Sequence, residues 1–180
     1  MIIEKTPFEG LLIITPNVYY DERGYFFESW NSHAAHTLGL DLHFVQDNQS
    51  LSKKGVLRGL HFQVPPFEQG KLVRVITGSV LDIVVDLRKG QPTYKKYYAL
   101  ELNDRSRQML YIPPGFAHGF LTLEDNTVFA YKCTQVYNKL SDRVISYKDP
   151  EFNINWGNLD PIVSEKDLQA PNFDDDINPF

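Results

Sequence analysis

A chain of 180 residues with 42% hydrophobic and 13% aromatic side chains can bury one sizeable core, so a single domain spanning residues 1–180 is the expectation. Its 23 acidic against 18 basic residues give a net charge of -5, which excludes a broad basic field for nucleic acid or a membrane surface but leaves room for a small anionic ligand. Cys133 stands alone, which excludes an intramolecular disulfide. With no basic-then-apolar leader in Met1-Ile2-Ile3-Glu4-Lys5, and no apolar run near the ~20 residues of a membrane span, a cytoplasmic protein is expected.

Short β-branched and aromatic runs between Gly, Pro, Asn and Asp predict strands over residues 11–15 and 25–29. The segment 32–40 reads as a helix, with Asn31 or Ser32 able to cap its free amides and Gly39 near its end. Further strands are predicted over 56–63, 72–77, 80–87, 97–102, 108–112, 116–123 and 127–134. Thr77-Gly78-Ser79 reads as a hairpin turn, because glycine tolerates the positive φ of tight hairpins. Ser164-Glu165-Lys166-Asp167 resembles a capped helical turn, and the Asp-, Asn- and Pro-rich stretch from about 170 to 180 reads as an irregular tail. Many short strands with regular turns and few helices predict an all-β sandwich or barrel.

Ionisable groups inside apolar strands are the candidate chemistry. His61 lies in Arg58-Gly59-Leu60-His61-Phe62-Gln63, where a bend at Gly59 is needed for Arg58 and His61 to reach one pocket. Lys71 opens Lys71-Leu72-Val73-Arg74-Val75, and Tyr131 sits in Phe129-Ala130-Tyr131-Lys132-Cys133. Each alone is more often a core or snorkelling residue. Pro113-Pro114-Gly115-Phe116-Ala117-His118 delivers His118 onto a strand start. Small barrels with such a turn often hold a metal, but Gln63 stands where a His-x-His pair would place its second ligand, so no metal is expected.

Six segments in matching order resemble the dTDP-4-dehydrorhamnose 3,5-epimerase family from about residue 7 to 171. They are Asp21-Glu22-Arg23-Gly24-Tyr25-Phe26-Phe27-Glu28, Phe44-Val45-Gln46-Asp47-Asn48, Gly55-Val56-Leu57-Arg58-Gly59-Leu60-His61-Phe62-Gln63, Gln69-Gly70-Lys71-Leu72-Val73-Arg74, the Pro-Gly-Phe-Ala-His-Gly-Phe turn and Ser164-Glu165-Lys166-Asp167. The resemblance implies a cupin-like jelly roll with a few short helices, a homodimer, and cofactor-independent epimerisation of a dTDP-4-dehydro-6-deoxy sugar at carbons 3 and 5. By the same resemblance His61 is the base, Asp167 its carboxylate partner, Tyr131 the acid and Lys71 the cation near the ketone oxygen. Arg23, Arg58 and Lys166 are implied for the phosphates; Phe26, Glu28, Gln46, Asp47 and Asn48 for the base or groups near it. Tyr137 would stack on the base, and His118 would meet the sugar. Asp142 departs slightly, since Glu also occurs at that position in the family, and the shorter arm leaves its contact open. Arg23 and Glu28 would come from a strand that crosses to a second subunit. A single-carbon epimerase and a non-catalytic sugar-nucleotide-binding module are the alternatives.

Overall fold

In the computed structural model, which describes residues 1–157 and 160–180, two β-sheets face each other across a shared core. The strands in chain order are β1 (Ile2–Lys5), β2 (Leu12–Thr15), β3 (Tyr19–Asp21), β4 (Gly24–Phe26), β5 (Gln46–Ser52), β6 (Val56–Gln63), β7 (Lys71–Thr77), β8 (Ser79–Asp86), β9 (Tyr97–Asn103), β10 (Met109–Ile112), β11 (Phe116–Thr122), β12 (Thr127–Cys133), β13 (Asp142–Val144) and β14 (Ile162–Val163). Helix α1 (Ser32–Thr37) precedes β5, and α2 (Glu165–Leu168) follows β14. The first sheet runs β1-β2-β10-β7-β12-β5 and the second β13-β6-β11-β8-β9, while β14 adds to β6 in parallel. The architecture is all-β, a cupin-like jelly-roll sandwich with short helices.

Period-two alternation builds the core. Val73 and Val75 of β7, Val80 and Val84 of β8, Phe120 of β11 and Phe129 of β12 turn inward between the sheets, and the Phe120 and Phe129 rings stack at 4.1 Å. Each such buried side chain contributes about 1.5–3 kcal/mol. The opposite residues of the second sheet, Leu60, Ile83, Val85 and Ala117, are covered by Ile145, Phe152, Phe173 and Phe180. Trp30, Leu40, Leu42 and Phe44 cover part of the first sheet's outer face.

Several local expectations change in the folded chain. Gly78 (φ 85°) does not close a hairpin: β7 belongs to the first sheet and β8 to the second, so the turn is a corner between layers. A Cβ at Gly78 would come within 2.4 Å of Thr127 Oγ1, so both φ and space demand glycine there. The strand predicted over 25–29 is the short β4, paired with β3 around Glu22 and Arg23. The first helix ends at Thr37, capped by Asn31, whose side chain accepts from the Ala34 amide. The tail holds a 3-10 turn, Asp175–Ile177, and is tied down where the Lys89 amide donates to the Phe180 carbonyl (3.1 Å) and Asn178 donates to the Leu87 carbonyl (2.7 Å).

Candidate active site

One end of the space between the sheets is packed with apolar side chains; the other is a polar cavity of about 570 Å³, within the range of small-molecule sites. The second sheet contributes Arg58, His61 and His118 to its walls, and the first contributes Asn48, Lys71 and Tyr131. An adjoining recess of about 250 Å³ shares His61, Lys71 and Tyr131 and extends to Gln46, Tyr137 and Asp142.

The register of β6 against β11 explains how Arg58 and His61 reach one cavity. His61 pairs with His118 but Arg58 pairs with Phe120, so β6 carries one extra residue between them, a bulge at Gly59 and Leu60. Leu57 and Leu60 therefore pack outside while Arg58 and His61 both line the cavity, as the sequence required of Gly59. Gly59 has φ 139°, and a Cβ there would approach Gly119 Cα to 2.5 Å. Arg58 is steadied by Ser52 Oγ, which accepts from its guanidinium at 3.3 Å.

His61 Nε2 meets Asp167 Oδ1 at 2.6 Å. Asp167 is buried in α2, whose cap Ser164 accepts from the Asp167 amide at 3.2 Å. Burial works to raise the Asp167 pKa, but the His61 hydrogen bond and charge, Ser164 and the Gly59 amide outweigh it and hold the carboxyl below its ordinary value. Asp167 is thus an ionised acceptor that orients the ring and stabilises an imidazolium.

Tyr131 of β12 and Lys71 of β7 line the wall supplied by the first sheet, close together because Tyr131 pairs with Val73 and Cys133 with Lys71. Burial raises the Tyr131 pKa, joined by Cys133 and Asp142 and opposed by Arg58, so the phenol keeps its proton at neutral pH. Burial lowers the Lys71 pKa against the opposing pull of Cys133, Asp142 and Asp82. Cys133 is buried, and its sulfur accepts from Asn48 Nδ2 at 3.6 Å. Asn48 in turn accepts from Gln46 Nε2 at 3.0 Å.

At the mouth of the recess Asp142 Oδ2 accepts from Lys166 Nζ (2.6 Å) and from the Tyr137 hydroxyl (3.2 Å), and the Tyr137 amide donates to Gln46 Oε1 (2.8 Å). Gln63 is spent on structure: its amide nitrogen donates to the Phe67 and Val136 carbonyls and its oxygen accepts from the Asn138 amide. Among the described residues no group of three or more His, Cys, Asp or Glu is arranged to hold a metal ion.

Four expected residues are not brought to this cavity. Asp47 alternates outward from Gln46 and Asn48 and pairs with Lys132 at 2.9 Å on the opposite face of the first sheet. Arg23, Phe26 and Glu28 lie on or beside the exposed β3–β4 hairpin; Arg23 pairs with Asp21, and Glu28 accepts from Asn31. Beyond the expected set, Gln49, Ser50 and Ser164 also line the cavity, and a buried carboxylate stands beside His118. Asp82, fully buried, meets His118 Nε2 at 2.9 Å, and its signal was a carboxylate inside Val80-Leu81-Asp82-Ile83-Val84-Val85.

A similar sequence and a similar fold recur in known proteins. The family model described as dTDP-4-dehydrorhamnose 3,5-epimerase matches residues 5–175. A relative of that name from Methanothermobacter thermautotrophicus is 49% identical over 91% of this chain and 89% of its own, and one from Shigella flexneri is 44% identical over 97% of each. The crystal structure of dTDP-6-deoxy-D-glucose-3,5-epimerase from Legionella pneumophila in complex with dTDP-4-keto-L-rhamnose is 42% identical, covers 99% of this chain and 97% of its own, and superposes with a TM-score of 0.92. With a match that spans nearly the whole chain in both sequence and fold, this chain belongs to the dTDP-4-dehydrorhamnose 3,5-epimerase family.

Proposed function

We propose that the chain epimerises dTDP-4-dehydro-6-deoxy-α-D-glucose at carbons 3 and 5 to dTDP-4-dehydro-β-L-rhamnose, by acid–base catalysis that needs no cofactor. The observation that carries this reading is the division of labour across one cavity. A carboxylate-oriented imidazole, His61 on Asp167, stands on one sheet, and a protonated phenol, Tyr131, stands with Lys71 on the other. Family membership and the ligand named for the Legionella relative support the substrate class.

The ketone at carbon 4 acidifies the hydrogens on its two neighbours. His61 removes one, and negative charge moves onto the carbon 4 oxygen, where the Lys71 ammonium stabilises it. Tyr131 then returns a proton from the opposite face, which inverts the carbon. A base and an acid on facing sheets are what inversion needs, since one group on one side could only return the proton to the face it left.

Arg58 and Lys166 bind the phosphates in this reading, with Lys166 exchanging its Asp142 partner for phosphate oxygens. Tyr137 stacks on the thymine, and Gln46 and Asn48 bond its edge. The chain works as one domain in a homodimer in which the hairpin bearing Arg23 and Phe26, with Glu28 just beyond it, completes the partner's site; the exposed tyrosines and Phe26 of that hairpin support this reading. A lone free thiol supports a cytoplasmic location.

Proton NMR of EDTA-treated protein with dTDP-4-dehydro-6-deoxy-glucose in deuterated water tests the reading. Deuterium at carbons 3 and 5, lost in His61→Ala, is expected. Label at one carbon would make this a single-carbon epimerase, and nucleotide binding without any label would leave only a binding module.

A further inference from the structure

We propose that Asp82 is a positioning residue for this reaction, one that fixes the His118 ring from inside the core so that Nδ1 is the atom presented to the sugar. The inference rests on the function proposed above and concerns a carboxylate that lies behind the cavity wall.

Along β8 the residues that turn inward are Val80, Asp82 and Val84, and both valines belong to the apolar core. Asp82 is completely buried between them. Its Oδ2 meets His118 Nε2 at 2.9 Å, and its Oδ1 has no partner among the described residues. A carboxylate half satisfied in such a place costs stability, and an apolar side chain of similar volume would serve the fold better. Its position is explained by what it does to His118.

An ionised carboxylate only accepts, so the hydrogen of His118 resides on Nε2. The ring is also confined by aromatic neighbours, with the Phe129 ring at 6.2 Å and 23° and Phe120 at 6.3 Å. Nδ1 has no protein partner among the described residues, and with Nε2 turned to Asp82 it is the ring nitrogen left for the cavity that His118 lines. His118 pairs directly across from His61 in the β11–β6 register, so the two imidazoles adjoin on one wall. The two rings are held alike. Each has Nε2 anchored on a buried carboxylate, Asp167 or Asp82, and each leaves Nδ1 for the ligand. In the neutral ring that Nδ1 accepts a sugar hydroxyl, which seats the reacting carbons between His61 and Tyr131.

Asp82→Asn keeps the volume but offers an amide that can donate to Nε2 and so move the ring hydrogen to Nδ1. We expect kcat for deuterium incorporation to fall about 10²-fold while dTDP affinity is unchanged, because the nucleotide groups lie at the mouth. In the double variant with His118→Asn the rate should fall no further than in His118→Asn alone, since both changes remove one unit. Nitrogen-15 NMR of the imidazoles gives a readout independent of turnover and of the variant's folding: His118 of the unaltered protein should carry its hydrogen on Nε2. A hydrogen on Nδ1, wild-type kcat in Asp82→Asn, or losses that multiply in the double variant would overturn the inference. Failure of the unaltered protein to label any sugar would instead overturn the proposed function, with the His118 tautomer still read separately.

Discussion

The chemistry of individual residues follows from where burial places them. In the proposed mechanism Lys71 faces a developing oxyanion, and replacing it by Met should remove about 3–4 kcal/mol of transition-state stabilisation, read as a 10²- to 10³-fold loss of turnover. Tyr131→Phe removes the proton donor but leaves the base, so deuterium exchange on the His61 side should persist while inversion falls by about 10² to 10⁴. Equal loss of exchange and inversion would remove Tyr131 from the role of acid. Asp167 carries a pH signature: its carboxyl is held below its ordinary value of 3.8, so the stability it adds is complete above that value and is lost as pH falls through the lowered one. The stability gap between the protein and Asp167→Asn, measured by urea unfolding, should therefore close as the pH falls below 3.8. His61, Lys71 and Tyr131 were visible in the sequence because each interrupts an apolar strand. Asp167 was not, because a carboxylate at the third position of a capped turn looks like ordinary helix initiation, and only the family resemblance singled it out.

At the scale of elements, the β6 bulge does the positioning. Gly59→Ala places a Cβ against Gly119 Cα at a φ that L-residues rarely adopt, so it should cost at least about 1–3 kcal/mol and pull Arg58 and His61 out of register. Thermal unfolding checks the first effect, and labelling kinetics on the folded fraction checks the second; a stable, fully active variant would deny the bulge its role. Strand β5 escaped sequence reading for an instructive reason. Its inward positions, Gln46, Asn48 and Ser50, are polar because they line the cavity, so the usual apolar alternation is missing although the burial alternates cleanly. The corner at Gly78 was misread because a positive-φ glycine between two strands looks the same whether they pair or part into different layers.

In the proposed homodimer the site is divided between two chains. Arg23, Phe26 and Glu28 project from the body of the chain that carries His61, so two inactive variants should complement each other. Co-expressing His61→Ala with an Arg23→Ala/Glu28→Ala chain should yield heterodimers with one intact site, about a quarter of wild-type activity in a random mixture. No recovery, in mixtures shown to exchange subunits, would mean that each chain works alone. Sequence alone determined the all-β class, most of the strands, the cap at Ser164 and the ionisable side chains His61, Lys71 and Tyr131 that interrupt apolar strands, since these depend on alternation, turn chemistry and residue type within a few neighbours. Only the tertiary structure decided which sheet each strand joins, that Asp47 faces away from Asn48's cavity, and that Asp167 and Asp82 sit behind the two histidines. Those pairings join residues 106 and 36 positions apart. Contacts at such separations are fixed by how the layers close on each other, and no local pattern encodes them.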